Sequence, residues 1–476
     1  MTVTVSPGKI SGAIPIPGSK SHTIRALLIA ALADGDSTIR RPLRSADTAA
    51  CIDALGELGV DITDDGDVIR VTGRGPHLAR PAGTIDCANS GTTLYLMLSV
   101  AALQSFPVRF DGDDQLRRRS AGPLLAALES CGARVDRENG DCVPLTITGP
   151  IATPAGGTSA AGIGTAATPS DGSSAVGGSA PIGKPAATGK AAVAPRVSIS
   201  CPTSQYLSSL LLAAPLSAAG IDIDVPLLHE RPYVGLTLGW LDRQGIDYAR
   251  DEWRRFTLPG GQRYTAYDAP VPGDFSSATF FIVAAAATGS DVELLGLDMT
   301  DSQGDKAVIA MVERLGARVT VGAESIRIHG PERLSGGTID LNATPDALPA
   351  LALLGTTCSE TLRLVNVPQA REKETDRIAV MADVIARLGG SAEELPDGLV
   401  VHPRRLRGGT VDSAGDHRVA MAAAIAGLFA EAAVTVTRAD VASITFPGFY
   451  DLLAAAGARL STAASAGHGA PPSEEA

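Results

Sequence analysis

A helix that ends in glycine and runs into a short strand recurs six times along this chain. No other feature restricts the possible folds as much. The instances are ALGELGVDIT, ALESCGARVD, WLDRQGIDYA, MVERLGARVT, VIARLGGSAE and LLAAAGARLS, with glycines at Gly59, Gly132, Gly245, Gly316, Gly389 and Gly457. A glycine just past a helix end supplies the left-handed cap that other residues resist. Repetition at a fixed period marks one supersecondary unit used many times. Successive glycines are 73, 113, 71, 73 and 68 residues apart, so one interval is oversized. Residues 152–194 explain the excess, being almost entirely Gly, Ala, Ser, Pro and Thr with only Asp171, Lys184 and Lys190 charged. Such a composition cannot bury a core and is expected to form a flexible insert. Residues 463–476 are expected to be a disordered tail.

A second helix belongs to each of the six units. The starts are SKSHTIRALLIAAL, NSGTTLYLMLSVAAL, TSQYLSSLLLAAPL, DFSSATFFIVAAAA, TPDALPALALLG and GDHRVAMAAAIAGL. Each opens on polar or capping residues and then turns almost wholly apolar. A helix that is apolar on every face has to be buried on every side. Strands such as STIRR, PVRFDG, IDIDV and DVELLG follow these helices. The pattern predicts six β-α-β-α-β-β units, each with one buried and one amphipathic helix. A chain of 476 residues exceeds one compact core, which predicts two α/β domains of three units each. Polar side chains at the start of a buried helix are costly unless they face a cleft. Six such starts point to one shared cleft.

The bulk properties exclude several classes. A net charge of −12 argues against a nucleic-acid binder. No apolar run approaches a bilayer span, and the N-terminus has neither a basic start nor a signal-like apolar stretch. A cytoplasmic protein without membrane contact is expected. The six cysteines show no CxxC spacing and read as small core residues in a reducing compartment. The seven histidines show no ligand spacing, so neither a metal nor another cofactor is expected.

The helix starts carry the chemistry. PGSKSHTIR sets Lys20, Ser21 and Arg25 around the first turn of one buried helix, with Ser21 and Arg25 on one face. That suits a phosphate or carboxylate at a helix N-terminus, and equally a serine cap beside two solvated cations. NSGTT offers Gly91, where a ligand can approach the backbone, or simply a capping turn. Thr203, Ser204 and Gln205 offer two hydroxyls and an amide, or another cap. REKETDR, residues 371–377, packs six charges into seven residues between an apolar strand and an apolar helix. Acids suit a helix start, but three cations there oppose the helix dipole, so an acid-base and anion site reads better. GDHR poses the same problem with Arg418, and RRRS places Arg119 before another helix.

Together these motifs give a resemblance. PGSKS with Arg25, NSGTT, TSQYLSSLLLAAP, HERPY, GDFSSA, TPDALP, REKETDR, GDHR and TFP run in the order seen in 5-enolpyruvylshikimate-3-phosphate synthases. The likeness extends from about Ile10 to Ala456, excluding the insert. It implies a two-domain inside-out α/β barrel, with residues 1–18 and 272–460 in one domain and 19–271 in the other. The implied activity is transfer of the enolpyruvyl group of phosphoenolpyruvate to the 5-hydroxyl of shikimate 3-phosphate, by a monomer. By the same resemblance Lys20, Ser21, Arg25, Thr203, Ser204, Gln205, Asp346, Gln369 and Lys373 bind shikimate 3-phosphate. Lys20, Gly91, Arg119, Gln205, Arg377 and Arg418 bind phosphoenolpyruvate, and Asp346, Glu374 and Lys20 carry the catalysis. Glyphosate is the implied inhibitor, at the donor site. Three positions depart from the best-known members: Tyr95 stands for an Arg, Ile444 for a Lys and Gln369 for an Asn. The alternatives are the sister UDP-N-acetylglucosamine enolpyruvyl transferases, which carry Asn where Ser21 stands, and a silent paralogue that only binds shikimate 3-phosphate.

Overall fold

The computed structural model describes residues 1–152 and 194–463, so most of the glycine- and alanine-rich insert and the C-terminal tail lie outside the described residues. Two kinds of helix alternate along the chain. The first kind is buried almost all round: α1 (Lys20–Leu32), α3 (Gly91–Ala101), α5 (Ser204–Ala213), α7 (Phe275–Thr288), α9 (Leu348–Gly355) and α11 (His417–Phe429). All eleven residues of α3 are buried, as are all eight of α9. The second kind is half-buried: α2 (Ala46–Glu57), α4 (Gly122–Ser130), α6 (Arg231–Arg243), α8 (Ala307–Arg314), α10 (Arg377–Arg387) and α12 (Phe449–Ala455). All six repeat glycines close the second kind with positive φ, from 65° at Gly245 to 113° at Gly316.

Six sheets surround these helices, and all share one strand plan. In the sheet of Gly337–Asp340, Leu362–Val365, Gly398–His402 and Ser391–Leu395, the first pair is parallel and flanks buried α9. The last two strands form an antiparallel hairpin after amphipathic α10. The parallel pair needs a crossover, and the buried helix supplies it. Three sheets are completed by distant chain. Thr2–Val5 enters the sixth sheet between Val434–Thr437 and Leu460–Ala463. Ser11–Pro15 pairs in parallel with Asp291–Leu295, while Tyr264–Thr265 and Asp268–Pro270 pair with Ala33–Arg40. The chain therefore trades strands at two neighbouring crossings. Gly18 and Gly273 bridge each other there, and the Ser19 N–H donates to the Pro272 carbonyl at 2.8 Å. Gly18 has no room for a side chain, since a Cβ would lie 2.4 Å from the Arg41 carbonyl oxygen.

The apolar interior falls into two clusters. One combines Val3–Ile16 with residues from Phe275 to Ala458, and the other runs from Ile24 to Val271. All six cysteines are free and five are buried, with Cys142 half-buried on a strand. Among the described residues no helix is long and apolar enough to cross a membrane.

Candidate functional site

The polar starts of all six buried helices open into one cavity of about 640 Å³. Lys20, Ser21 and Arg25 reach it from α1, Gly91 and Thr92 from α3, and Ser204 and Gln205 from α5. Ser276 enters from α7, Asp346 from the turn before α9, and His417 and Arg418 from α11. Five of these helices carry side-chain caps. Ser19, Ser90 and Thr203 accept from first-turn amides, and so do Asp274 and Asp416. The remaining first-turn N–H groups and the helix dipoles give this cavity a fixed positive bias. Short capping side chains at apolar helices thus built the cleft from local sequence rules.

Arg377 is the hub of the charge network. Its Nε donates to Asp416 Oδ2 at 2.7 Å, Nη1 to Asp346 Oδ1 at 2.8 Å and Nη2 to Glu374 Oε2 at 2.6 Å. Burial works against this charge, but the three carboxylates outweigh it and hold the guanidinium firmly protonated. Arg418 Nη2 lies 2.7 Å from Asp346 Oδ2 and donates to Ser276 Oγ at 3.1 Å. Although burial pushes the Asp346 carboxyl up, Arg418 and Arg377 hold it far below the usual carboxylate range. Glu374 behaves likewise: Arg377 and Arg119 overcome burial and keep it ionised. Arg119 Nη2 is 3.5 Å from Glu374 Oε1 and 3.3 Å from Asn89 Oδ1, and its buried Nε has no partner. A Cβ on Gly91 would lie 3.0 Å from Arg119 Nη1, so the glycine keeps that guanidinium in place.

Lys20 donates to Asp47 Oδ2 at 2.8 Å. Arg25 differs from the other cations of the cavity. It is fully buried and bonded to Thr237 Oγ1 at 2.8 Å, Ser208 Oγ at 3.3 Å and the Ser21 carbonyl at 3.1 Å, with no carboxylate beside it. Burial lowers its pKa to about 10, which leaves it charged at neutral pH and uncompensated. Gln205 Nε2 donates to Thr92 Oγ1 at 2.8 Å, tying α5 to α3. Gln369 donates to the Asn342 carbonyl at 3.1 Å and leaves its buried Oε1 unpaired. Thr203, Ser204 and Lys373 complete the lining, so every residue expected from sequence borders this one cavity. The Tyr95 ring, edge-on to Tyr206 at 5.2 Å, also borders it, while Ile444 ends a 3₁₀ turn away from it.

Glu374, Asp416 and His417 have ligand atoms within 4.8 Å of one another, a spacing open to a metal ion. Arg377 already donates to both carboxylates, so a guanidinium fills that role. The His417 ring, with neither nitrogen bonded, is kept neutral by burial, which lowers its pKa to about 4.

A family model described as EPSP synthase (3-phosphoshikimate 1-carboxyvinyltransferase) matches residues 5–167 and 175–453. The chain belongs to the EPSP synthase family. Within this family, the 3-phosphoshikimate 1-carboxyvinyltransferase of Acetivibrio thermocellus is 42% identical over 464 residues, covering 97% of this chain and 100% of that one. The protein of the same name from Halobacterium salinarum is 39% identical, covering 96% and 99%. A solved EPSP synthase from Acinetobacter baumannii shares the fold, with a TM-score of 0.76 over 97% of this chain at 24% identity.

Asp47, Tyr233, Asp305 and Glu230 also line the cleft, and the sequence motifs give none of them a role. Asp47 sits in the first turn of α2, where acids are common, and nothing in its neighbourhood marks it. Tyr233 donates to Asp305 Oδ2 at 2.8 Å and lies 3.3 Å from Asp346 Oδ2. Burial first, and then the charge of Asp346, push the Asp305 carboxyl up to about 7. Glu230 and Tyr233 both lie in HERPY, whose sequence alone assigns neither a partner.

Proposed function

We propose that the chain transfers the enolpyruvyl group of phosphoenolpyruvate to the 5-hydroxyl of shikimate 3-phosphate, releasing phosphate, in aromatic amino-acid biosynthesis. The observation that carries this reading is that Arg25, Lys373, Arg119, Arg377 and Arg418 all line one cavity; we assign them to two groups, Arg25 with Lys373 and Arg119 with Arg377 and Arg418. An acceptor with a carboxylate and a phosphate spans the first group, its carboxylate at Arg25 and Ser21 and its phosphate at Thr203, Ser204 and Lys373. Gln205, Gln369 and Asp346 face its ring. The donor's carboxylate and phosphate take the arginine forks and Lys20, beside Gly91. Planar guanidinium forks match both oxyanions in a way that lysine does not.

The chemistry follows from the charges. Asp346, held ionised, accepts the proton of the acceptor hydroxyl as its oxygen bonds to C2 of the enol. The C3 methylene takes a proton at the same stage, giving a tetrahedral adduct that still carries the phosphate. Breaking the C2–O bond to phosphate and removing a methyl proton restores the double bond. Glu374 is the group beside C3. In the empty site Arg377 and Arg119 keep it ionised. An incoming donor draws those guanidiniums to its own oxygens and adds negative charge, and both changes raise the affinity of Glu374 for a proton. Lys20 neutralises charge developing on the leaving phosphate.

The two apolar clusters support two lobes, residues 1–18 with 272–460 and residues 19–271, meeting at the crossings near Ser19 and Pro272. The common strand plan of the six sheets favours the inside-out barrel architecture. The same reading carries the proposal of a cytoplasmic monomer acting on small molecules.

The test is phosphate release by the purified protein with phosphoenolpyruvate and either acceptor. Release with shikimate 3-phosphate alone of the two supports the reading. Release with UDP-N-acetylglucosamine instead would reassign the chain to the sister transferases, and binding without release would mark a silent paralogue.

A further inference from the structure

We infer that Glu230 is a built-in occupant of the acceptor's phosphate slot, a carboxylate that holds the slot until the phosphorylated acceptor displaces it. The inference rests on the acceptor reading above. Glu230 precedes α6 in a left-handed conformation, φ +55°, which a non-glycine residue seldom adopts. That backbone turn points its carboxylate into the cavity, where it is almost fully buried. Oε2 accepts from the Ser204 N–H at 3.1 Å, the Ser204 hydroxyl at 2.8 Å and the Thr203 hydroxyl at 3.3 Å. Oε1 accepts from the Lys373 ammonium.

A helix N-terminal amide, two hydroxyls and a lysine form the donor set expected for a phosphate. One glutamate satisfies all four. The charge balance explains why such an occupant is needed. Eight Arg or Lys and eight Asp or Glu side chains line the cavity; Arg25 faces no carboxylate, but Lys373 is already held by Glu230, so a phosphate at Lys373 has to take that cation from a resident carboxylate. Of those carboxylates, Asp346, Glu374 and Asp376 pair with arginines and Asp47 with Lys20. Glu230 alone binds the hydroxyl and amide set at the start of α5. A phosphate entering that set with Glu230 still in place would put two like charges on the same donors.

Displacement lowers apparent affinity, because only the fraction of molecules with the slot open binds at once. A slot filled nine-tenths of the time weakens apparent acceptor affinity by about tenfold. Glu230→Gln removes the charge at constant size. Glu230→Asn shortens the side chain and uses a residue that tolerates positive φ. For both variants the KM for shikimate 3-phosphate is expected to fall several-fold, while the KM for phosphoenolpyruvate and kcat stay within about twofold. Calorimetry with inorganic phosphate on the free proteins is expected to show tighter binding to both variants by a similar factor. An acceptor KM that is unchanged or raised, with phosphate binding no tighter, overturns the inference and makes Glu230 a support for Lys373. If the unmodified protein releases no phosphate with the two substrates, the activity reading fails instead. The inorganic phosphate titration still decides whether the glutamate fills the slot.

Discussion

At the level of single residues, the cleft is a set of buried charges that specify one another. Glu374 sits between Arg377 and Arg119, and losing its carboxylate leaves Arg377 with Asp346 and Asp416. Glu374→Gln is therefore expected to melt close to the unmodified protein and to lose at least about 100-fold in kcat. A variant that keeps more than a tenth of the rate removes Glu374 from the proton transfers. Asp305 gives a pH signature of unusual sign. Its carboxyl is raised to about 7 in the folded chain, above the ordinary value near 4 in an unfolded one. Between those values the folded state holds a proton that the unfolded state has released, so this group's contribution to stability falls as pH rises and levels off above 7. Asp305→Asn is expected to gain in melting temperature relative to the unmodified protein between pH 5 and pH 8. A constant difference across that range would show that Asp305 ionises normally. Sequence reading reached Glu374 because six charges in seven residues break the ordinary helix-start pattern. It missed Asp47, Asp305 and Glu230 because an isolated acid near a helix start has an adequate local explanation, and only tertiary packing gives it a partner.

At the level of elements, the six capping glycines and the six polar helix starts were legible because both are local. A left-handed cap needs glycine wherever the helix later packs, and a hydroxyl or carboxylate cap needs only its own first turn. Strand partners were not legible. Thr2–Val5 and Ser11–Pro15 are short strands like the others, and nothing in them states that one completes the last sheet and the other joins Asp291–Leu295. That choice is made by burial and by where the chain crosses. Two glycines separate the local from the tertiary contribution. Gly245 has φ +65° with open space around it, so Gly245→Ala adds only backbone strain, expected to cost about 1–2 kcal/mol. Gly427 lies inside α11, where a Cβ would come within 2.6 Å of the Val5 carbonyl oxygen. Gly427→Ala is expected to cost at least as much, about 1–3 kcal/mol or more, because helix and strand have to move apart. Denaturant melts of both variants check this, and an unperturbed Gly427→Ala would show that α11 and the N-terminal strand pack loosely.

At the level of the whole molecule, one arrangement accounts for both fold and chemistry. Helices too apolar to meet solvent are enclosed by sheets, and their polar N-terminal turns face a single cavity. Its cations are held in two ways, Arg25 by hydroxyls and carbonyls without a carboxylate, and Arg377 and Arg418 by shared carboxylates. A crystal structure of the protein with shikimate 3-phosphate and phosphoenolpyruvate, or an unreactive donor analogue, tests that arrangement most directly. The acceptor carboxylate is expected at Arg25, its phosphate at Ser204 and Lys373 with Glu230 turned away, and the donor oxyanions on Arg119, Arg377 and Arg418. Ligands bound outside the six helix starts, or both anions held by one of the two groups, would contradict it.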